Sequence, residues 1–166
     1  MRRKDREITK KEQLLSIVNN CKVCRLGLAV ADKPYIVPLN FGYIWEENES
    51  LKLYFHSAKE GLKLDMLAKN NLACFEMDGG HKLIRKENPG DFSYAYYSII
   101  GWGSLRIIHA AEEKHHALCK LMEHQAGFGK YCFSETDLAK VTVLCLEAEE
   151  ITGKGNNWCE KALFSV

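Results

Sequence analysis

Two neighbouring stretches decide the fold of this chain: Val37-Pro-Leu-Asn-Phe-Gly-Tyr43 and Leu53-Tyr-Phe-His-Ser-Ala-Lys-Glu-Gly-Leu-Lys63. They predict a strand, a hairpin, a second strand and then a turn into a helix. His56 and Ser57 fall at the end of the second strand, and Lys63 falls in the first turns of the helix. Free backbone N–H groups at a helix start favour an anion, and a lysine adds positive charge. This junction can therefore hold the phosphate of a cofactor.

Length and composition predict a single soluble domain over residues 1–166. The chain is 46% apolar and 27% charged, which is ordinary for a globular protein. Its formal net charge of +1 provides no general attraction to nucleic acid or to a membrane surface. No apolar run approaches the roughly 20 residues of a membrane span, and the charged N-terminus lacks the apolar segment of a signal peptide. Seven scattered cysteines then predict free thiols in a reducing cytoplasm.

Apolar periodicity along the chain predicts six strands and three helices. The strands are expected over residues 22–31, 34–45, 51–57, 71–78, 93–109 and 140–151, and the helices over 10–20, 60–69 and 111–126. Loops are expected at 79–91 and 127–139, with a loosely held arm at 1–9 and a C-terminal tail at 155–166. Short antiparallel strands with helices set between them indicate an α+β, mainly β, barrel-like fold.

The order and spacing of these segments resemble the small flavoproteins of the pyridoxamine 5′-phosphate oxidase-like split-barrel superfamily, in particular its Nim-type, 5-nitroimidazole-resistance branch. The resemblance runs over the two stretches above and over Met1-Arg-Arg-Lys-Asp-Arg-Glu7, Cys21-Lys-Val-Cys-Arg-Leu26, Tyr97-Ser-Ile-Ile-Gly-Trp-Gly103 and Ile151-Thr-Gly-Lys154. It covers nearly the whole chain, and no single motif carries it. It implies a six-stranded antiparallel split β-barrel with flanking helices, which forms a homodimer with a flavin at the subunit interface.

The resemblance also implies the residues that contact the cofactor, which are Val37, Pro38, Leu39, Asn40, His56, Ser57, Ala58, Gly61, Lys63, Tyr97 and Ser98. The strand 37–40 would run beside the flavin ring, and Ser57 and Lys63 would contact the phosphate. His56 would lie near the ring as the catalytic proton donor, since histidine titrates near neutral pH. Tyr97 and Ser98 would reach the flavin of the opposite subunit.

The chain departs from the family pattern at two of these places. Leu62 stands where relatives often carry arginine, so one phosphate contact is missing, and Lys59 is the residue that can compensate for it. Tyr97 stands where relatives often carry a charged residue, which leaves a substrate-specific role for that position open.

Structural explanations compete with several of the proposed roles. Ser57-Ala-Lys-Glu60 fits a capping box, in which Ser57 would cap the helix and do nothing more. Pro38 would be explained equally well by an edge strand with a bulge, because proline cannot donate to a β-ladder. His56 would be an ordinary surface histidine if the resemblance were set aside.

Two further groups of residues could suggest metal or redox chemistry. Cys21-x-x-Cys24 has no second CxxC elsewhere, and residues three apart point to opposite faces of a strand, so packed thiols are favoured. His115, Cys119 and Glu123 share one helical face but extend along two turns, too far apart to reach one ion. No metal site is expected.

The expected function is that of a flavin-dependent oxidoreductase that binds FMN, or FAD as the alternative cofactor, and reduces nitroaromatics such as 5-nitroimidazoles. The first alternative is a non-catalytic flavin-binding protein, since no nicotinamide site is evident. The second is pyridoxamine phosphate oxidation, for which the tail Asn156-Asn-Trp-Cys159 lacks basic residues. The partners expected are a second copy of the chain and a small-molecule substrate, with no nucleic acid and no membrane.

Overall fold

The computed structural model describes residues 3–47 and 50–157, which form one antiparallel sheet with flanking helices. The strands are β1 Glu7–Ile8, β2 Val23–Val30, β3 Lys33–Asn40, β4 Gly42–Ile44, β5 Lys52–Ser57, β6 Leu72–Ile84, β7 Ser93–Ile108 and β8 Thr142–Asn156. The helices are α1 Lys11–Asn20, α2 Leu62–Leu67, α3 Ala111–Ala126 and α4 Glu135–Lys140, with 3₁₀ turns at Lys4–Arg6 and Pro89–Asp91.

The sheet follows the order β3-β2-β6-β7-β8-β5-β4, and β1 pairs with β8 outside this path. Its two ends approach one another where β3 comes near β5, but no hydrogen-bonded ladder joins them in the described part of the chain. The expected mainly β split-barrel fold is confirmed. The number of strands differs from the expected six because the segment 34–45 divides at Phe41 and because the arm supplies a short strand.

The N-terminal arm is more firmly attached than its polar sequence predicts. Glu7 pairs with Lys154 and Ile8 pairs with Gly153 along the edge of β8. Ile8 is buried in the core, so its apolar side chain gains roughly 2 kcal/mol from leaving water. The expectation of a loosely held arm is therefore wrong for residues 7 and 8. Of the expected tail, Gly155 and Asn156 belong to β8, and residues 158–166 lie outside the described residues.

The main core fills the inside of the curved sheet. Alternate residues of each strand point inward, as the period of two along a strand requires, and Phe41, Phe55 and Phe75 are fully buried there. Helix α1 adds Ile17 and Val18 to the same core.

A smaller core lies on the other face of β5 and β8, under α3 and α4. Its buried members are Tyr54, Ile108, Ala117, Leu118, Leu138, Val143 and Cys145. Helix α3 runs directly over β4 at Gly42, where an added Cβ would lie only 2.3 Å from the Leu121 nitrogen. Only glycine allows that approach, and α3 can therefore cover this side of the barrel.

Two expected loops contain regular structure instead. Strand β6 continues to Ile84 through an irregularity between Gly79 and Lys82, so only the residues after Ile84 form the loop. The second expected loop, 127–139, contains most of α4, which begins with a capping box formed by Ser134 and Asp137. The loop prediction failed here because short local hydrogen bonds, rather than apolar periodicity, define so short a helix.

Candidate functional site

The most distinctive polar contact joins Ser57 and Lys63. Ser57 ends β5 and is buried, and Lys63 lies in the first turn of α2 and is half-buried. The Lys63 Nζ donates a hydrogen bond to the Ser57 Oγ at 2.5 Å, and that hydroxyl donates to the Ala58 carbonyl at 2.9 Å. The structure thus brings together Ser57 and Lys63, the two residues that the sequence analysis expected at the phosphate.

Among the described residues, no acid balances the charge of Lys63. No carboxylate within the described ranges forms an ion pair with it. Partial burial lowers the pKa of Lys63, because the ammonium has lost part of its hydration. A half-buried cation with a neutral hydrogen-bond partner is well suited to an anionic ligand, which would restore the missing electrostatic compensation.

The capping-box prediction for Ser57 is wrong. Helix α2 begins at Leu62, its N-cap is Gly61, and no side chain caps it. Gly61 has φ of 132°, a backbone conformation that side-chain-bearing residues rarely adopt. The turn thus places Lys63 back over Ser57, while the helix itself has only six residues, so the lysine rather than the helix supplies the positive charge.

Strand β3 lies at an edge of the sheet, where Pro38 pairs with Arg25 of β2 and nothing else in the described sheet flanks it. Proline is tolerated at such an edge, so the edge position accounts for Pro38, whereas the expected bulge is wrong because the pairing of β3 with β2 runs without a register shift from Lys33 to Asn40. Val37 and Leu39 point toward the core and are half-buried. Asn40 is already engaged: its Nδ2 donates to the Lys22 carbonyl at 3.0 Å and to the Gln125 Oε1 at 3.2 Å.

The side chain of His56 does not join the Ser57–Lys63 pair. Neighbouring residues of a strand point to opposite faces, and His56 faces α3 and α4 while Ser57 faces the barrel. The exposed imidazole borders a pocket of about 510 Å³ whose apolar wall includes Leu118, Met122 and Phe133. The sequence placed both residues at one strand end correctly, but alternation gives them different surroundings.

Tyr97 and Ser98 also point to opposite faces. Tyr97 is buried, with its ring against Gly79 and Gly80 at the irregularity of β6, and burial raises the pKa of its phenol. Ser98 is half-buried on the outer face, level with Asp78 on one side and Lys154 on the other. Ala58 and Gly61 lie in the exposed turn between β5 and α2.

A charge network on the outer face was missed by the sequence analysis. Arg25 Nη1 donates to Glu76 Oε2 at 2.9 Å and to Asp78 Oδ1 at 2.5 Å, and His81 Nε2 lies 2.7 Å from Asp78 Oδ2. Burial, followed by the nearby Asp78 charge, raises the pKa of Glu76 despite the arginine. The available signal was the alternation in β2 and β6, which puts all three charged side chains on one face.

The cysteine and histidine groups behave as structural elements. Burial raises the pKa of Cys21 to about 12 and also raises that of Cys24, so both are neutral thiols. Cys119 Sγ lies 3.6 Å from His115 Nδ1, whereas Glu123 pairs with Lys120 at 2.8 Å. Over residues 3–47 and 50–157, no three His, Cys, Asp or Glu side chains are grouped closely enough to hold a metal ion. None of the described helices is long and apolar enough to span a membrane.

Comparison with known proteins places these features in a family. The sequence profile described as pyridoxamine 5′-phosphate oxidase matches residues 10–155. A structure from Bacteroides thetaiotaomicron, proposed to be a 5-nitroimidazole antibiotic resistance protein, shares 32% identity over 90% of this chain and 86% of its own, with a TM-score of 0.77. No curated protein gives a significant match.

More distant structures share the fold. The FAD and heme binding protein from Mycobacterium smegmatis is 17% identical over 97% of this chain and 81% of its own, with a TM-score of 0.78. The flavocytochrome Anf3 from Azotobacter vinelandii is 16% identical over 100% of this chain and 78% of its own, with a TM-score of 0.74. At such identities the likeness concerns the fold alone.

Proposed function

Because the chain belongs to the pyridoxamine 5′-phosphate oxidase family, we propose that it is a flavin-dependent oxidoreductase whose cofactor phosphate is bound by Ser57 and Lys63. The observation that carries this proposal is the half-buried Lys63, which contacts a hydroxyl at 2.5 Å and has no acid as ion-pair partner among the described residues. An ammonium has three hydrogens, so those not used by Ser57 remain for phosphate oxygens. The residues present therefore fit the phosphate end of FMN.

The flavin, when bound, supplies the electron-transfer chemistry, and the protein positions it and limits its contact with water. Strand β3 can offer backbone groups of residues 37–40 to the ring, because its outer edge has no partner strand in the described sheet. The turn at Ala58 and Gly61 is exposed and leaves room beside the phosphate, since nothing lies within 4 Å of a Cβ added at Gly61.

The proposed substrates are nitroaromatics such as 5-nitroimidazoles. This rests on the similarity to the Bacteroides thetaiotaomicron protein, which is proposed to be a 5-nitroimidazole antibiotic resistance protein. His56 would supply the proton that the reduced substrate takes up. Replacement of His56 by Gln should lower nitroimidazole turnover at least roughly tenfold and leave the flavin affinity unchanged. Equal turnover by the unaltered protein and by His56→Gln would show that His56 is not the proton donor.

We also propose that two copies pair through the outer face of the sheet, with flavin at the interface. Ile36, Ile100 and Trp102 are large apolar side chains exposed on this face. Register places Ile36 level with Gly27, Gly27 with Cys74, and Cys74 with Trp102, so two of the exposed residues lie in one row across the sheet. A stable dimer needs roughly 800 Å² per subunit. Light scattering should give a molar mass twice that of the chain. Trp102→Glu should lower the measured mass to that of the monomer.

The decisive experiment is an absorbance spectrum of the purified protein, with mass spectrometry of the compound that heat releases. A flavin spectrum and a flavin mass are expected. A colourless protein that also fails to take up added flavin would refute the proposal. Reduction of the bound flavin by NADH or NADPH would separate an enzyme from a protein that only carries the flavin.

The scattered cysteines favour a reducing cytoplasm as the location of this protein.

A further inference from the structure

We propose that Cys119 and Cys132 form a reversible disulfide when the protein meets hydrogen peroxide, so that this pair of thiols is a site of oxidative modification. Cys119 lies in the middle of α3, and Cys132 lies in the segment that joins α3 to α4. Both are free thiols in the structure. Neither cysteine belongs to the candidate phosphate site, so the disulfide does not depend on the flavin.

The sulfur of Cys119 touches the chain directly beside Cys132. The Cys119 Sγ donates to the Tyr131 carbonyl oxygen at 3.4 Å. Standard bond lengths place a carbonyl oxygen roughly 3 Å from the next Cα, so the Cα of Cys132 lies within roughly 6 Å of the Cys119 sulfur. The Cα atoms of a disulfide are usually roughly 4.4–6.8 Å apart. Rotation of the two side chains and a small movement of the joining segment therefore allow the bond to form.

His115 orients the Cys119 thiol. Its Nε2 accepts a hydrogen bond from the Phe133 backbone N–H at 3.3 Å, and a ring nitrogen that accepts a hydrogen bond carries no hydrogen. The hydrogen of the neutral imidazole is therefore on Nδ1, which lies 3.6 Å from the Cys119 Sγ. This N–H group stabilises the negative charge that develops on the sulfur when Cys119 attacks. One ring thus contacts both the helix thiol and the segment that carries Cys132.

Exposure decides which of the two thiols reacts first. Cys132 is exposed, whereas Cys119 is half-buried. Burial, followed by the Glu123 charge and the nearby Cys132 thiol, raises the pKa of Cys119. Because oxidation of a thiol follows its exposure and its thiolate character, the peroxide reacts with Cys132, and Cys119 is the resolving thiol.

The oxidation proceeds in two balanced steps. The Cys132 sulfur attacks one oxygen of hydrogen peroxide and becomes a sulfenic acid, and the hydroxide that leaves takes the thiol proton to form water. The Cys119 sulfur then attacks the Cys132 sulfur, the S–S bond forms as the S–O bond breaks, and a second water leaves with the Cys119 proton. The two thiols together lose two electrons, and the peroxide is reduced to two waters. In a reducing cytoplasm such a disulfide is transient.

The other described cysteines lack this combination of exposure and a neighbouring thiol that can resolve the oxidised sulfur. Cys21, Cys24 and Cys145 are buried, and Cys74 is half-buried. Burial raises the pKa of Cys21 to about 12 and that of Cys145 to about 11, so these thiols stay neutral and shielded. Among the described cysteines, Cys132 is the exposed one.

Peptide mapping tests the pair directly. The full chain is treated with hydrogen peroxide, the remaining thiols are blocked with N-ethylmaleimide, and the protein is cut with trypsin without a reductant. Because trypsin cuts after lysine, Cys119 is released in the peptide His115–Lys120. Cys132 is released in the peptide Tyr131–Lys140. We expect these two peptides to be joined, with a mass about 2 Da below the sum of the separate peptides, and to be separated by dithiothreitol.

Cys119→Ser and Cys132→Ser should each abolish the joined peptides. Cys74→Ser serves as the matched control, because it makes the same change at another half-buried thiol, and it should leave the joined peptides as abundant as in the unaltered protein. Thermal unfolding verifies that each variant is folded. Oxidation of Cys132 that stops at the sulfinic acid, a link from Cys132 to another cysteine or to a second copy of the chain, or two thiols that remain free would overturn the proposal.

Discussion

Two charged regions of this protein handle electrostatics in opposite ways. On the outer face of the sheet, Arg25 contacts both Glu76 and Asp78, and His81 contacts Asp78, so each charge has an opposite partner. At the end of β5, Lys63 has a hydroxyl as its partner, and a pocket lined by Lys59 and Lys114 has no Asp or Glu among its lining residues. Paired charges need nothing from outside the chain, whereas unpaired ones are stabilised by a ligand of opposite sign.

Replacement of Lys63 should have the largest effect, and it acts on binding. Lys63→Met removes the ammonium and keeps much of the side-chain volume, so the flavin dissociation constant should rise roughly 10- to 100-fold, the value of a charged hydrogen bond of about 1.5–3 kcal/mol. The unfolding free energy should stay the same or increase, because a partly desolvated cation is lost. Fluorescence titration and urea denaturation measure the two quantities. Lys63→Arg should retain most of the affinity, and an unchanged dissociation constant for Lys63→Met would exclude the phosphate role.

His124 provides a third way of handling a polar group, since it is buried and kept neutral. Its Nε2 donates to the Cys21 carbonyl at 2.8 Å, its ring centroid lies 4.6 Å from that of Phe41, and burial lowers its pKa to about 4. The unfolded chain therefore binds this proton more readily than the folded protein below the ordinary histidine pKa of about 6.5.

Stability should consequently be fully present above about pH 6.5 and should fall by about 1–3 kcal/mol as the pH is lowered to about 4. Urea denaturation at several pH values measures this loss. His124→Gln should be less stable at neutral pH but should show a smaller decrease over the same range. If the unfolding free energy falls equally with pH in both proteins, groups other than His124 cause the acid sensitivity.

The paired region should give the smallest effect. Arg25→Met leaves Glu76 and Asp78 facing each other without the guanidinium, and the unfolding free energy should decrease by about 0.5–1 kcal/mol, because these groups are partly exposed to solvent. The same change should raise the pKa of Glu76 further, which NMR titration of its carboxyl carbon can detect. A loss of about 3–5 kcal/mol, the cost of breaking a buried ion pair, would instead show that the second copy of the proposed dimer covers these groups.

Much of the fold was predictable because it depends on local periodicity. The helix 111–126 was predicted with the bounds that the structure shows, and β2 and β5 were predicted within one residue at each end. Residues 7 and 8 and the extension of β6 to Ile84 were missed. Residues 7 and 8 form a strand only through pairing with the distant β8, and the end of β6 is extended by pairing with β7 beyond the irregularity between Gly79 and Lys82, which interrupts the sequence pattern.

The site was predictable in its composition and less so in its arrangement. Ser57 and Lys63 were selected from the turn between strand and helix, and the structure brings them together at 2.5 Å. Asn40 was selected from a strand pattern, yet its amide is held by Lys22 and Gln125, which are 18 and 85 residues away in the chain. Gln125 reaches Asn40 because α3 crosses β4 at Gly42, a contact that no local pattern encodes.

The sequence alone determined the mainly β class, the family and the junction that carries Ser57 and Lys63, because alternation, turn residues and motif spacing are properties of neighbouring residues. Only the tertiary structure decided that His56 borders a pocket under α3 and α4 while Ser57 is buried toward the barrel, that Arg25 is paired with two acids, and that Lys59, His109 and Lys114 line one pocket without Asp or Glu. Burial and charge compensation depend on which distant segments pack together, and that is a property of the whole fold.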